Sequence, residues 1–391
     1  MTSILSAFDG ATTSQAADNL ADNFAIRRNG SFPPSRLATS ALPRIALITL
    51  ALLLGACATP PDPVRPRPIP VPRIPEPIAP APAATSALET LRALVAQQDR
   101  LDRVAAPLLT SNTQLCKARN LLGFTAKNKY SYTDEFVDAA HQLLDLGDRL
   151  QITGIMADSG AARAGVRRGD VLLAIESQVL PQGPNAEAPA KAILAPLVKD
   201  RNAIKLTLLR NGASHDLNVP LTSACAFRVE FGNADHANAY ADGMRVMVTR
   251  GLMNFTTSDE ELAYILAREM AHNALGHPVR ERMTATTGSV IDNLVRMHPD
   301  LTTTSGSSGI KQIPPAMEAL ADKVALYMLV RAGYGIDNYQ SFWQRLAVQY
   351  PASVANAYTA IHPASEARVS MIRKTLAEIK SKQSTRKPLL P

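Results

Sequence analysis

The chain has 391 residues, 46% of them hydrophobic, with 28 prolines, three cysteines and a formal net charge of +7. That length holds two or three domains once the ends are set aside, and the hydrophobic share suffices for a sizeable core. With 5% aromatics and no recognition motif, the modest basic excess excludes a nucleic-acid-binding role and leaves solubility and attraction to anionic surfaces.

Near the start, Arg44 precedes the apolar run Ile45 to Leu54, and Gly55-Ala56-Cys57 follows. A charge, a short apolar core and small residues describe a secretory signal. The run is too short to cross a bilayer, which takes ~20 apolar residues. Leu54-Gly55-Ala56-Cys57 resembles the lipobox of bacterial lipoproteins. The resemblance implies a signal over 1–57, lipid on Cys57 and a bacterial cell-envelope protein held at the membrane by that anchor. Ala58 implies an outer-membrane lipoprotein facing the periplasm. The long stretch ahead of the apolar run points to a start later than Met1. Residues 58–85 alternate Pro with small, apolar and basic residues and cannot bury a core. They are expected to form a semi-rigid linker in polyproline geometry, at ~3.1 Å per residue.

Residues 86–138 are expected to be a helical segment, with Leu88, Leu91, Leu94, Val95 and Leu101 on one side of a helix over 86–104. Strand character follows at Leu150 to Ile155. Next come Gly160-Ala-Ala-Arg-Ala-Gly165 and Gly169-Asp170-Val171-Leu172, then a helical stretch from Ala186 to Val198. Ile204–Leu209 and Leu217–Leu221 flank Asn211-Gly212, a hairpin signal. Residues 139–222 resemble the PDZ domains of bacterial envelope proteases. The resemblance implies a module that adds an extended peptide to a sheet edge beside a helix, with its carboxylate-binding loop near Leu146-Gly147. Gly169 and Asp170 are expected to shape a turn without touching ligand. Cys116 and Cys225 bracket the module. In an oxidising compartment they are expected to pair, two buried thiols being the alternative.

Ser258 to His277 reads as a helix. Ser258 and Glu261 form a capping-box pattern, Leu262, Ile265, Leu266 and Met270 supply an apolar face, and Gly276 and Pro278 end it. Inside lies Arg268-Glu269-Met270-Ala271-His272, one residue away from H-E-x-x-H, in which two histidines one turn apart hold zinc and the glutamate is the general base. Glu318 and Asp322 stand one turn apart on a second helix, from Pro315 to Ala332, stopped by Gly333. His362-Pro-Ala-Ser-Glu-Ala-Arg368 follows.

From Ala224 to about residue 380 the chain resembles the HtpX and CaaX-prenyl-protease type of zinc metallopeptidase, the forty-eighth metallopeptidase family. The resemblance implies an α+β architecture. A PDZ-like β module would precede a mainly helical gluzincin-type peptidase domain over 223–380 with a small sheet, and 381–391 would be a basic tail. It implies Glu269 as catalytic base, His272 and Glu318 as metal ligands, Asp322 supporting a ligand, and His362 and Arg368 steadying an oxyanion. Residues 238–243 and 245–251 look like the strand beside the cleft. Residues 284–315, with the polar run 302–309, are expected to be a mobile loop.

The departure is Arg268, which stands in the first histidine position. A catalytic zinc takes three protein ligands and one open position, and a guanidinium cannot coordinate. Zinc, expected from the family, is therefore expected to be weakened or absent here. His277, five residues beyond His272, is the candidate replacement. Alternatively, Arg268 is a fixed cationic surrogate for the metal, with Glu318 or Asp322 as its bidentate partner. Two functions remain open. One is a zinc metalloendopeptidase acting on proteins or peptides with a degenerate ligand set. The other is a non-catalytic pseudopeptidase that binds peptide clients as chaperone or adaptor.

Overall fold

The computed structural model describes residues 86–302, 313–350 and 366–391. The expected signal with Cys57, the linker over 58–85 and His362 lie outside the described residues. Among the described residues no helix is long and apolar enough to cross a membrane.

Helix α1 spans Ala87–Thr110 and opens on a capping box: the Ser86 hydroxyl accepts from the Glu89 amide at 3.2 Å, and Glu89 accepts from the Ser86 amide at 3.2 Å. It continues past Val104 and through Pro107. The buried stripe Leu101, Val104, Leu108 and Leu109 runs on to the end, and that burial outweighs the hydrogen bond lost at the proline. After α1, strand β1 (Ala118–Leu121) runs antiparallel to β8 (Thr222–Cys225), with Ala118 opposite Cys225. A Cys116–Cys225 disulfide closes the same base, with Cα atoms 5.6 Å apart.

The segment held by that base is a sheet module. Its strands β2 (Phe124–Lys127), β3 (Gln151–Ile155), β4 (Val171–Ile175), β6 (Ala203–Arg210) and β7 (Ala213–Pro220) lie in the order β2-β3-β4-β6-β7, with β5 (Gln178–Val179) beside β4. Helices α2 (Val137–Leu144), α3 (Gly160–Arg163) and α4 (Glu187–Asp200) complete it. Alternate residues of the strands, among them Phe124, Ile152, Leu172, Leu206 and Leu208, meet Leu194 of α4 in one core. The β6–β7 hairpin turns at Asn211 and Gly212, both with positive φ, as a two-residue turn requires. Asp170 shapes the turn before β4 by accepting from the Arg167 amide at 2.8 Å, and Arg210 clasps its buried carboxylate at 2.6 and 2.7 Å. The module thus begins before residue 139. Strand β2, expected within a helical segment, pairs with β3 and belongs to the sheet.

The second core is built on three strands, β9 (Arg228–Gly232), β10 (Ala239–Ala241) and β11 (Arg245–Thr249), in the order β10-β11-β9. The β11–β9 pair is parallel and the β10–β11 pair antiparallel, with β11 between the two outer strands. The helices are α5 (Arg250–Phe255), α6 (Asp259–Ala274), α7 (His277–Arg280), α8 (Thr284–Leu294), α9 (Pro315–Arg331), α10 (Tyr339–Gln349) and α11 (Glu366–Ser384). Helix α6 is buried on every side from Leu262 to Asn273, as befits the central element of a core. The whole is α+β.

Two expectations are corrected. Residues 284–294, expected in a mobile loop, form α8, which packs Val290, Ile291 and Leu294 against Tyr240 and Met247. The tail over 381–391 is not free: α11 runs to Ser384, Lys382 Nζ donates to the Leu390 carbonyl at 2.7 Å, and Arg331 donates to the Leu389 carbonyl at 3.3 Å.

Candidate metal centre

Helix α6 is aimed by its first turn. The Ser258 hydroxyl accepts from the Glu261 amide at 3.2 Å. The Glu261 carboxylate accepts from the Thr257 amide at 2.8 Å and takes both Arg345 nitrogens of α10, at 2.8 and 2.7 Å. This fork replaces the reciprocal half of the capping box and locks α6 to α10. Ten residues on from Ser258, α6 delivers Arg268, Glu269 and His272 to the side where α9 brings Glu318 and Asp322; all five side chains are buried.

Arg268 is 0% exposed. Its Nη2 donates to Glu318 in a short ion pair, its Nη1 donates to Glu269 Oε1 at 3.3 Å, and its Nε lies 3.6 Å from Asp322 Oδ1. The guanidinium therefore faces a different carboxylate from each nitrogen, instead of taking one of them bidentately as the sequence suggested. The bidentate pair is another one: Arg368 of α11 donates to Asp322 at 2.6 and 2.9 Å. Tyr339 of α10 also donates to Asp322, at 2.9 Å. Trp343, one turn beyond, packs its ring against both cations, its centroid 5.1 Å from Arg268 Cζ and 5.6 Å from Arg368 Cζ. Neither aromatic was singled out in the sequence. Their one signal there was the spacing of Tyr339, Phe342 and Trp343 on one helical face.

The guanidinium of Arg368, which the resemblance places at an oxyanion, is buried and donates both of these bonds to Asp322. Asp322 in turn steadies Arg268 and Arg368.

The electrostatics follow from burial. Two guanidinium groups face the three carboxylates of Glu269, Glu318 and Asp322, one positive charge short of balance. Burial pushes the Glu269 carboxyl up to about 7, against the pull of Arg268 and Arg368, so a proton held there makes the cluster neutral. Burial, then the neighbouring Arg368, draws the Arg268 value down, yet a guanidinium starts so high that it stays charged. Burial opposes the charge of Arg368 too, but Asp322 outweighs it and the net shift is upward. Burial, then Asp322, holds Tyr339 well above its ordinary value, so it remains a neutral donor.

His272 places Nε2 at 3.8 Å from Glu318 Oε2 and turns Nδ1 to His277 Nδ1 at 3.0 Å, with the two rings edge to face. Burial lowers His277 to about 4, so that ring is neutral near pH 7. His277, the candidate replacement ligand, engages His272 through Nδ1, while its buried Nε2 makes no hydrogen bond among the described residues. The donor set does not fit a zinc ion. The Glu318 carboxylate is bound by a guanidinium, and among the described residues no group of three His, Cys, Asp or Glu side chains is placed to hold a metal.

Strand β3, ahead of which the resemblance places the carboxylate-binding loop, is interior, between β2 and β4. Leu146 is buried, and the Gly147 carbonyl accepts from the Lys129 amide at 3.1 Å. The outer strands are β2 and β7, and β2 is preceded by Leu121-Leu122-Gly123. Gly123 has φ +78°, and a Cβ there would sit 2.5 Å from Ser159 Cβ. Helix α4 lies alongside. Asn120 bonds the Arg201 carbonyl just past its C-terminus at 3.2 Å, Asn128 bonds the Gly183 carbonyl at 2.8 Å, and Ser131 bonds Glu187 at its first turn.

Comparison with known proteins gives the class: residues 208–376 match the model of peptidase family M48. The match supports a metallopeptidase-family protein in this part of the chain. Among solved structures, the HtrA-type protease AlgW with a tripeptide is 27% identical over 27% of this chain and 32% of that one, with a TM-score of 0.20. The same protease with a decapeptide is 26% identical over 27% and 30%, at 0.21. A PDZ domain protein from Parabacteroides distasonis ATCC 8503 is 18% identical over 33% and 23%, at 0.20. The chain spans about a third or less of the length of these structures. No curated protein matches it.

Proposed function

We propose that this protein holds extended peptides or unfolded segments without hydrolysing them, using a metallopeptidase domain that has lost its metal chemistry and a PDZ-like docking module. One observation carries this reading: the Arg268 guanidinium is bonded to Glu318, the carboxylate expected to bind metal. A peptidase of this type needs an open coordination position and a base that reaches the attacking water. Here Glu269 is buried against Arg268, and the third ligand is spent. Binding would fall to the module, where a peptide strand would extend the sheet at β2 beside α4. A lipidated Cys57, at the outer membrane and facing the periplasm, would place this activity among envelope proteins.

Glu269 and His272 are retained beside Glu318, and this favours the second reading, a zinc endopeptidase with a degenerate ligand set. Incubation of an unstructured protein with the purified chain and added zinc tests both. No cleavage, in the wild type or in Glu269→Gln, supports the holding function. Cleavage that requires zinc and disappears in Glu269→Gln selects the endopeptidase.

A further inference from the structure

We infer that Arg268 is a resident cation in the place of the metal, and that with Arg368 and Trp343 it makes a closed ion cluster which ties four helices together and frees the fold from any divalent ion. This rests on the non-hydrolytic reading above and deepens it. A change that only removed a ligand would be served by any side chain of the right size. It would also leave Glu269, Glu318 and Asp322 facing one another in a buried site, which like charges do not tolerate. Arginine answers that specific difficulty. It carries a fixed charge on a planar group with five N–H donors, so one side chain can address several carboxylates at once.

The placement agrees. Arg268 stands one turn before His272 on α6 and points to the same partner, Glu318 of α9. It then reaches sideways to Glu269 and Asp322. Asp322 is in turn fixed by Arg368 of α11 and Tyr339 of α10. Trp343 of α10 lies against both guanidinium groups. Each of the four helices supplies at least one member, so the cluster joins the elements that a metal and its supporting residues would join. Full burial of Arg268 and Arg368 keeps water from competing for the donors, which strengthens most the short contacts of Arg268 to Glu318 and of Arg368 to Asp322. Trp343 is also the one tryptophan of the chain, so its fluorescence reports on the cluster alone.

The test compares the wild type with Arg268→Met, Arg268→His and the double variant Arg268→Met/Glu318→Leu. It reads thermal midpoint, Trp343 emission and zinc retained after dialysis, with chelator or with added zinc. The wild type is expected to keep one midpoint and one emission spectrum in both conditions. Arg268→Met strands buried carboxylates and should lower the midpoint by roughly 10 °C. The double variant, which removes the stranded partner as well, should regain a large part of that loss. Arg268→His should be as weak as Arg268→Met in chelator, then take up one zinc per chain, shift the Trp343 emission and recover its midpoint. A wild-type midpoint that falls in chelator overturns the inference, as does an Arg268→Met variant as stable as the wild type, or an Arg268→His variant that stays zinc-free. If Arg268→Met does not fold, the double variant carries the test, since it folds only if the stranded Glu318 charge was the cause. None of these readouts involves a substrate, so a failure to bind extended peptide would defeat the functional reading and leave this result standing, whereas zinc-dependent cleavage by the wild type would defeat both.

Discussion

Replacing Glu269 by Gln isolates the proton in the buried cluster. The folded protein holds the Glu269 carboxyl at about 7, against an ordinary value of 4.5, because burial penalises the charge more than Arg268 and Arg368 favour it. Between those two pH values the native state keeps a proton that the unfolded chain has released. Stability from this group is therefore complete below about pH 4.5 and is lost as the pH rises through 7. A gap of about 2.5 units corresponds to about 3 kcal/mol, at 1.36 kcal/mol per unit. Glutamine imitates the protonated acid and has no such slope. Urea unfolding of both proteins from pH 4.5 to 8 should give curves that converge at the acid end, with the variant gaining about 3 kcal/mol over the wild type at the alkaline end. Parallel curves would mean that Glu269 is ionised throughout, and would refute the claim that burial dominates its environment.

Other expectations concern the module and its base. Reduction of Cys116–Cys225, or Cys116→Ser/Cys225→Ser, releases a segment of sequence separation 109 and should cost about 5 kcal/mol by the loop-entropy relation, measured as a fall in unfolding free energy on adding reductant. Arg210→Ala strands the buried Asp170 carboxylate and should cost about 3 kcal/mol. Burial works to raise Asp170, but the hydrogen bonds from Arg210 and the Arg167 amide, with the charges of both arginines, together outweigh it and the net shift is downward. The stability it contributes is therefore present above the unfolded pKa and lost as pH falls through the folded one, and the variant should be less acid-sensitive than the wild type over that range. Gly123→Val meets both a positive φ and Ser159. By displacing β2 it should weaken binding of an extended peptide by about tenfold or more, read by fluorescence anisotropy.

What could be read from the sequence was local. The start of α6 is written in Ser258 and Glu261, its face in Leu262, Ile265, Leu266 and Met270, and its end in Gly276, whose φ is +68°. The Glu318–Asp322 pair was legible for the same reason, since one helical turn fixes both. Strand β2 was not. Four residues carry little periodicity, and its partner β3 begins more than twenty residues later, so only tertiary pairing reveals it. The consequence is that β3 lies inside the sheet and β2 at its edge. Helix α8 was hidden by the threonines and glycine of its sequence, which have low helix propensity, and is held by Val290, Ile291 and Leu294 on the sheet. The placement of Arg368 depends on α11 returning to α9, and that of Trp343 on α10 crossing α6. Arg268 marked the departure in the sequence, but the division of its nitrogens among three carboxylates is a property of the assembled helices.

The central claim, that a guanidinium has replaced metal chemistry, meets its most direct test in the metal content of the purified wild-type protein. After dialysis against zinc-containing buffer and then metal-free buffer, elemental analysis should find no stoichiometric zinc, and a chelator should change nothing in the protein's behaviour toward an unstructured protein. One firmly held zinc per chain, together with proteolysis that the chelator stops, would contradict the account.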